Sequence, residues 1–247
     1  MEYTAAPSRL TLPLPRAHRL ARYSEKGRDP YDGLRPWSAI THGIGVALAV
    51  IGTALLLARS VMLALDAWHL VAFAIYGASM ICLYTASTLY HCVNGPVARR
   101  LALRKYDHCS ISLLIAGSYT PICLVALRTY GGWGWAILGV IWAMAVAACS
   151  LSLLWIDSPR WITAGVYLVM GWLAVVALYP LSRILPPSGM LLLVLGGILY
   201  TAGGILYALK WPGRENPRFG CHEVFHLFIL AGSLCHFLMM YRVVCFL

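Results

Sequence analysis

Long apolar runs, separated by short breaks, make up most of the sequence after residue 36. A helix that crosses the hydrocarbon core of a membrane needs about 20 mostly apolar residues. Seven runs approach or exceed this length, and they cover roughly 37–58, 68–90, 109–127, 133–155, 161–178, 189–209 and 222–244. They are apolar on all sides and about twice as long as the alternating strands of a membrane β-barrel. The pattern predicts an all-α integral membrane protein, a seven-transmembrane helix bundle.

Composition supports this prediction and adds a separate amino-terminal segment. The chain has 247 residues, of which 60% are hydrophobic and 11% charged, whereas soluble domains carry about 25% charged residues. An ordinary soluble enzyme, a disordered regulator and a disulfide-rich secreted module are thereby excluded. Residues 1–36 are rich in Arg and Pro and lack periodicity, which predicts a flexible, basic cytoplasmic tail. Residues 37–247 then form one membrane domain.

The basic residues indicate an orientation. The formal net charge is +10. With seven spans, the tail and the loops after spans 2, 4 and 6 lie on one side and hold 15 of the 19 basic residues. Because Lys and Arg accumulate on the cytoplasmic side, the amino terminus is predicted to be cytoplasmic. The spread of charge over loops argues against nucleic acid as a partner and favours membrane lipids with anionic headgroups.

Several ionisable residues lie inside predicted spans, where they are costly and mark functional sites by default. In the predicted orientation, six of them lie toward the cytoplasmic ends of their spans, although they are far apart in the sequence. They are His42, His91, Asp107, His108, His222 and His226.

His222 and His226 are four residues apart, so their side chains share one face of a helix. Such a pair suits a divalent metal, and zinc binds imidazole nitrogen readily. His91 is the best candidate for a third ligand from a facing helix, and three protein ligands leave a fourth position open, as in catalytic zinc sites. Asp107 lies at a depth from which it can orient a ligand imidazole or a water molecule.

Other interpretations of these residues remain open. Cys92, Cys109 and Cys221 flank the predicted site, so a cysteine ligand is an alternative. For His42, His69 and His108, a hydrogen bond to a neighbouring helix or an interfacial position is the preferred interpretation.

The segment from His222 to His226 also matches the metalloprotease pattern H-E-x-x-H, in which Glu223 would be the general base. This interpretation is disfavoured because neither Asp107 nor Asp157 has the Asp-Gly context expected of a third, acidic ligand. His236 shares the face of His222 but lies about 15 Å deeper than His226, so it is interpreted with Ser233 as a polar lining.

Four motifs carry a resemblance to a known family. They are SAITHGIG at 38–45, STLYH at 87–91, Asp107 followed by IAGSYTP ending at 121, and HEVFH at 222–226 followed by LAGSLCH ending at 236. In this order they resemble the bacterial hemolysin III family, within the progestin and adipoQ receptor superfamily that includes the adiponectin receptors. The resemblance covers about residues 37 to 241.

The resemblance implies seven helices, a cytoplasmic amino terminus and Zn²⁺ held by His91, His222 and His226. It also implies that Ser87 and Asp107 lie beside the zinc-bound water. The adiponectin receptors have Gln at the position of Glu223, which argues against a required base there. The superfamily is linked to ceramide amide hydrolysis, and its bacterial members are named for a haemolytic, pore-like activity.

Two functions are therefore expected. The first is a zinc-dependent hydrolase of a lipid amide or ester in the bacterial inner membrane, with the acyl chain lying between the helices. Asp107 would be its general base or water orienter and Ser87 a supporting hydrogen-bond donor. The second is a pore-forming protein, a channel or a sensor with structural zinc.

Overall fold

In the computed structural model, the described part of the chain comprises residues 34–213, 216 and 219–247. It contains eight α-helices and no strand. Residues 1–33 of the predicted tail lie outside the described residues. The helices are α1 (Pro36–Met62), α2 (Ala67–Cys92), α3 (Val97–Pro121), α4 (Trp133–Leu154), α5 (Arg160–Trp172), α6 (Leu178–Ile184), α7 (Pro187–Leu209) and α8 (Cys221–Arg242).

These helices form seven segments that are long and apolar enough to cross a membrane, which confirms the predicted seven-helix membrane fold. α5 and α6 together make the fifth segment, joined by the 3₁₀ turn Leu173–Ala177. α2 and α3 lie at the centre of the bundle, and the fifth segment lies at its edge. In the most apolar window of the third segment 67% of residues are buried, against 11% in the fifth.

α3 begins at Val97, about three turns before the apolar run that predicted it. The additional turns carry basic residues whose charges have partners. The Arg100 guanidinium donates to the carbonyl oxygen of Val93 at 2.9 Å, and Arg104 contacts the Asp157 carboxylate at 3.1 Å. A charged segment therefore continues the helix where a hydropathy pattern indicates a loop.

The third membrane segment changes its helical form at Pro121. The α-helical pattern ends at this residue and continues as a π-helical turn, Ile122–Ala126, because proline has no N–H to donate. Two residues earlier, the Tyr119 hydroxyl contacts the carbonyl oxygens of Met170 and Gly171 at 3.0 and 2.7 Å. It also accepts the N–H of Ala174 at 2.8 Å, so it bonds the backbone at the break in the fifth segment.

His69 lies at the opposite end of α2 from His91 and has a hydrogen-bonded partner. Asp66 caps α2 by accepting the His69 N–H at 3.1 Å, and its carboxylate contacts His69 Nδ1 at 2.6 Å. Arg128 contacts the same carboxylate at 2.9 Å. The hydrogen bond with the His69 ring lowers the pKa of Asp66 to about 2. This partner belongs to the cap of the same helix and not to a neighbouring one, and the interfacial position of His69 stays a prediction.

Candidate metal centre

Three buried histidines from two helices meet at one end of the bundle. His91 is in the last turn of α2, and His222 and His226 are in the first two turns of α8. One ligand nitrogen from each ring lies within 4.8 Å of the others. The structure thus brings together the three residues proposed from the sequence, in an arrangement that can hold a metal ion.

One pair of ring nitrogens already has the spacing of a tetrahedral site. His222 Nε2 and His91 Nε2 are 3.1 Å apart. For zinc–nitrogen bonds of 2.0–2.1 Å, a tetrahedral site separates its ligand atoms by about 3.3 Å. The two rings meet edge to face, with an interplanar angle of 75°, so their nitrogens converge without stacking of the rings.

Thr41 of α1 orients the third histidine. Its hydroxyl lies 3.4 Å from His226 Nδ1 and donates its proton to the Ser38 carbonyl at 3.0 Å. Since that proton is used, the hydroxyl accepts from Nδ1–H, which leaves the Nε2 lone pair of His226 for a metal. Metal-ligating histidines characteristically donate their other ring N–H in this way.

Glu223 lies between two of these histidines in the sequence, and its carboxylate is saturated. Oε1 accepts from Arg35 Nε at 2.7 Å and from the Ser38 hydroxyl at 2.8 Å. Oε2 accepts from Arg35 Nη2 and from the Gly220 N–H, both at 2.8 Å. Glu223 is fully buried. These four donors make Glu223 a helix cap and an ion-pair partner. Because both of its oxygens already accept two hydrogen bonds, the carboxylate is poorly suited to act as a general base.

Arg35 connects three helices at this end of the bundle. Besides its ion pair with Glu223, its backbone N–H donates to the His91 carbonyl at 3.0 Å. In the sequence, Arg35 is one of several basic residues of the predicted tail. In the structure it is buried, immediately before Pro36, the first residue of α1. Nothing in the sequence around Arg35 indicates that its partner is Glu223, which lies 188 residues away.

Ser87 and Asp107 are buried and line the same cavity as His222 and His226. Ser87 lies one turn before His91 on α2, and Asp107 lies on α3. The cavity has a volume of about 240 Å³. Its wall is mainly apolar with a few polar groups, which is the usual form of a small-molecule site.

His42 is a site residue that the sequence analysis did not assign. Its ring stacks on that of His226 at 3.5 Å with an interplanar angle of 8°, and Tyr84 contacts it edge to face. Both ring nitrogens are buried and have no hydrogen-bond partner among the described residues. The ring lines the cavity and packs against His226 of the neighbouring helix α8. No spacing pattern links His42 to α8, so only the packed helices reveal this contact.

The described residues give no support to a cysteine ligand. Their group of metal-ligating side chains contains the three histidines and no cysteine. Cys92 is exposed at the end of α2, and Cys109 donates to the Cys149 carbonyl at 3.6 Å. His108 contributes its carbonyl oxygen to a hydrogen bond from Tyr167 at 2.9 Å, and it also lines the cavity.

Fold and site together define a seven-helix integral membrane protein with a buried three-histidine cluster. A family model described as "Haemolysin-III related" matches residues 36–237, and the chain belongs to this family. It is 40% identical over 202 residues to "Hemolysin-3" of Bacillus cereus, a match covering 81% of this chain and 87% of the relative. It is 38% identical over 200 residues to the "Hemolysin-3 homolog" of Bacillus subtilis (strain 168), covering 81% and 89%.

A more distant relative supports the wider superfamily. The chain is 24% identical over 204 residues to "Monocyte to macrophage differentiation factor" of Homo sapiens, a match covering 80% of this chain and 79% of the relative. These matches confirm the resemblance on which the sequence-based expectations depended.

Proposed function

We propose that this protein is a zinc-dependent hydrolase of a lipid amide or ester, resembling a ceramidase in its reaction. The proposed site lies near the cytoplasmic leaflet of the bacterial inner membrane, with the amino terminus in the cytoplasm. The observation that carries the proposal is the meeting of a three-histidine cluster, a carboxyl group and a hydroxyl at one mainly apolar cavity.

The residues present fit zinc. His91, His222 and His226 would hold it, since imidazole nitrogen is a preferred zinc ligand and three protein ligands are typical of catalytic sites. A bound zinc ion lowers the pKa of a coordinated water to about 7 and polarises a carbonyl group. Thr41 and the Arg35–Glu223 pair would fix the positions of the ligand imidazoles.

Asp107 and Ser87 would have separate roles in the hydrolysis. Asp107 would accept a proton from the attacking water and deliver it to the nitrogen or oxygen of the leaving group. The water oxygen then bonds to the acyl carbon, and the bond from that carbon to nitrogen or oxygen breaks. The Ser87 hydroxyl would orient the reacting group by a hydrogen bond. The apolar wall of the cavity would hold the acyl chain and exclude further water.

A second candidate is a pore-forming or channel-like protein, or a sensor, in which zinc is structural. The name "Hemolysin-3" of the Bacillus cereus relative favours this candidate. It requires the same three histidines but no function for Asp107.

Metal analysis of purified protein tests the metal site. Wild-type protein should bind zinc stoichiometrically, and His91→Ala, His222→Ala and His226→Ala should each lose most of it because a ligand is missing. His69→Ala is the matched control, since His69 bonds to Asp66 at the far end of the bundle. Stoichiometric zinc in all three site variants would disprove the proposed centre.

Asp107→Asn separates the two candidates. The hydrolase predicts that this variant keeps its zinc and fold but loses lipid turnover, by about 100-fold or more if a general base is removed. Turnover is measured by lipid mass spectrometry after incubation with ceramides and phospholipids, with and without a chelator. Ion leakage from liposomes that persists in Asp107→Asn, together with no turnover by the wild type, would favour the second candidate.

A further inference from the structure

A second group of polar side chains lies deeper in the bundle than the three histidines. The Tyr84 hydroxyl donates to Ser233 Oγ at 2.7 Å, and the Tyr200 hydroxyl lies 2.9 Å from the same oxygen. The Tyr200 ring meets His236 edge to face at 5.3 Å. Tyr200 and His236 both line the cavity that also contains His226. The cavity thus has polar groups at two separate places along α8.

His236 is held in position but lacks a full set of partners. The residue is 9% exposed, and its Nδ1 has no hydrogen-bond partner among the described residues. Nε2 lies 3.4 Å from the Leu193 carbonyl of α7. The ring packs against the backbone at Gly196, where an added Cβ would come within 2.4 Å of it. An unsatisfied polar atom in a buried, well-packed ring requires an explanation, and a ligand group at Nδ1 provides one.

One arrangement of these hydrogen bonds leaves a donor and an acceptor for a ligand. Ser233 accepts the Tyr84 proton and can donate its own to the Tyr200 oxygen, which leaves the Tyr200 proton for a ligand. With Nε2–H directed to the Leu193 carbonyl, His236 Nδ1 is an acceptor. One donor beside one acceptor matches a hydroxyl group, which both accepts and donates.

The position of this pair relates it to the three-histidine cluster. His236 follows His226 by ten residues on α8, which is a rise of about 15 Å, half of a hydrocarbon core about 30 Å thick. We infer that Tyr200 and His236 form a subsite for a hydroxyl carried on the middle of an acyl chain. The inference rests on the proposed function in one respect, that the carbonyl end of the chain binds at the three histidines.

A matched pair of probes tests the subsite by binding alone. Purified full-length protein is titrated with 12-hydroxyoctadecanoic acid and with octadecanoic acid, and displacement of a fluorescent fatty acid gives both affinities. Wild type should prefer the hydroxylated acid about tenfold, the effect of one or two well-formed hydrogen bonds. 3-Hydroxyoctadecanoic acid is the positional control and should show no such preference.

Two variants locate the preference. Tyr200→Phe and His236→Phe should each bring the ratio of the two affinities close to one, because each removes a hydrogen-bonding partner of the hydroxyl group. Tyr200→Phe removes a single oxygen, so it keeps the test decisive if His236→Phe fails to fold. A wild-type ratio near one, or a preference that persists in Tyr200→Phe, would overturn the subsite.

Turnover distinguishes failure of the subsite from failure of the proposed function. Preference for the hydroxylated acid without hydrolysis of any lipid rejects the hydrolase and keeps the subsite. Hydrolysis without that preference rejects the subsite and keeps the hydrolase.

Discussion

At the residue scale, the hydrogen bonds of Glu223 argue against the catalytic role that its sequence motif suggests. The five letters of H-E-x-x-H suggest a base, yet the carboxylate accepts hydrogen bonds from Arg35, Ser38 and Gly220. These donors come from the start of α1 and from the cap of α8. The charge of Glu223 therefore contributes to the packing of the helices that bear the histidines.

Glu223→Gln should lower stability strongly, because it removes the buried carboxylate that pairs with the Arg35 guanidinium. Breaking a buried ion pair costs about 3–5 kcal/mol. Unfolding in detergent micelles measures the loss, and Arg35→Gln combined with Glu223→Gln should recover part of it. Unchanged stability of Glu223→Gln with abolished turnover would instead identify a catalytic base.

His42→Phe should separate ring stacking from hydrogen bonding. Phenylalanine keeps a flat ring against His226 and removes two buried nitrogens that have no hydrogen-bond partner among the described residues. Exchanging an unsatisfied polar group for an apolar group of similar shape is neutral or stabilising. We expect an unchanged or higher Tm, retained zinc and lower lipid turnover, if His42 bonds the polar part of the substrate. A lower Tm with full turnover would contradict this role.

At the scale of elements, close backbone contact joins α4 to the π-helical turn after Pro121. A Cβ at Gly134 would lie 2.4 Å from the Cys123 carbonyl oxygen, whereas a Cβ at Gly139 on the same helix would meet nothing within 4 Å. Small residues at helix interfaces permit such approaches in membranes.

Gly134→Ala should therefore destabilise the protein by about 1–3 kcal/mol, the usual cost of overpacking. Gly139→Ala, the matched control, should be neutral or slightly stabilising because alanine favours the helix. Denaturant titration of both variants in the same micelles measures the difference. Equal stabilities would show that α4 can move away from the turn at no cost.

The sequence predicted most of the helical elements because burial in lipid requires long apolar runs. It placed the start of α3 too late, since Arg100 and Arg104 interrupt the apolar pattern while their partners come from other segments. Spacing and depth were sufficient to select His222, His226 and His91. The contacts of Arg35 and His42 were not predictable, because they depend on how α1 packs against α8.

At the scale of the whole molecule, orientation remains a prediction from the distribution of Lys and Arg. Reporter fusions test it: alkaline phosphatase joined after Leu247 should be active, because the predicted orientation places that end of the last helix outside the cytoplasm. The same reporter joined after Asn94, in the loop between α2 and α3, should be inactive. The opposite pattern would reverse the proposed orientation and place the three histidines in the outer leaflet.

The fifth segment, α5 with α6, has one further consequence for the whole molecule. It is the least buried of the seven segments, its helix is interrupted, and Tyr167 and Trp172 of α5 line the cavity. This irregular segment therefore forms part of the wall between the cavity and the surroundings of the bundle. A ligand that passes this helix comes from the bilayer itself, so its mole fraction among the lipids, rather than its concentration in water, sets how often the cavity is filled.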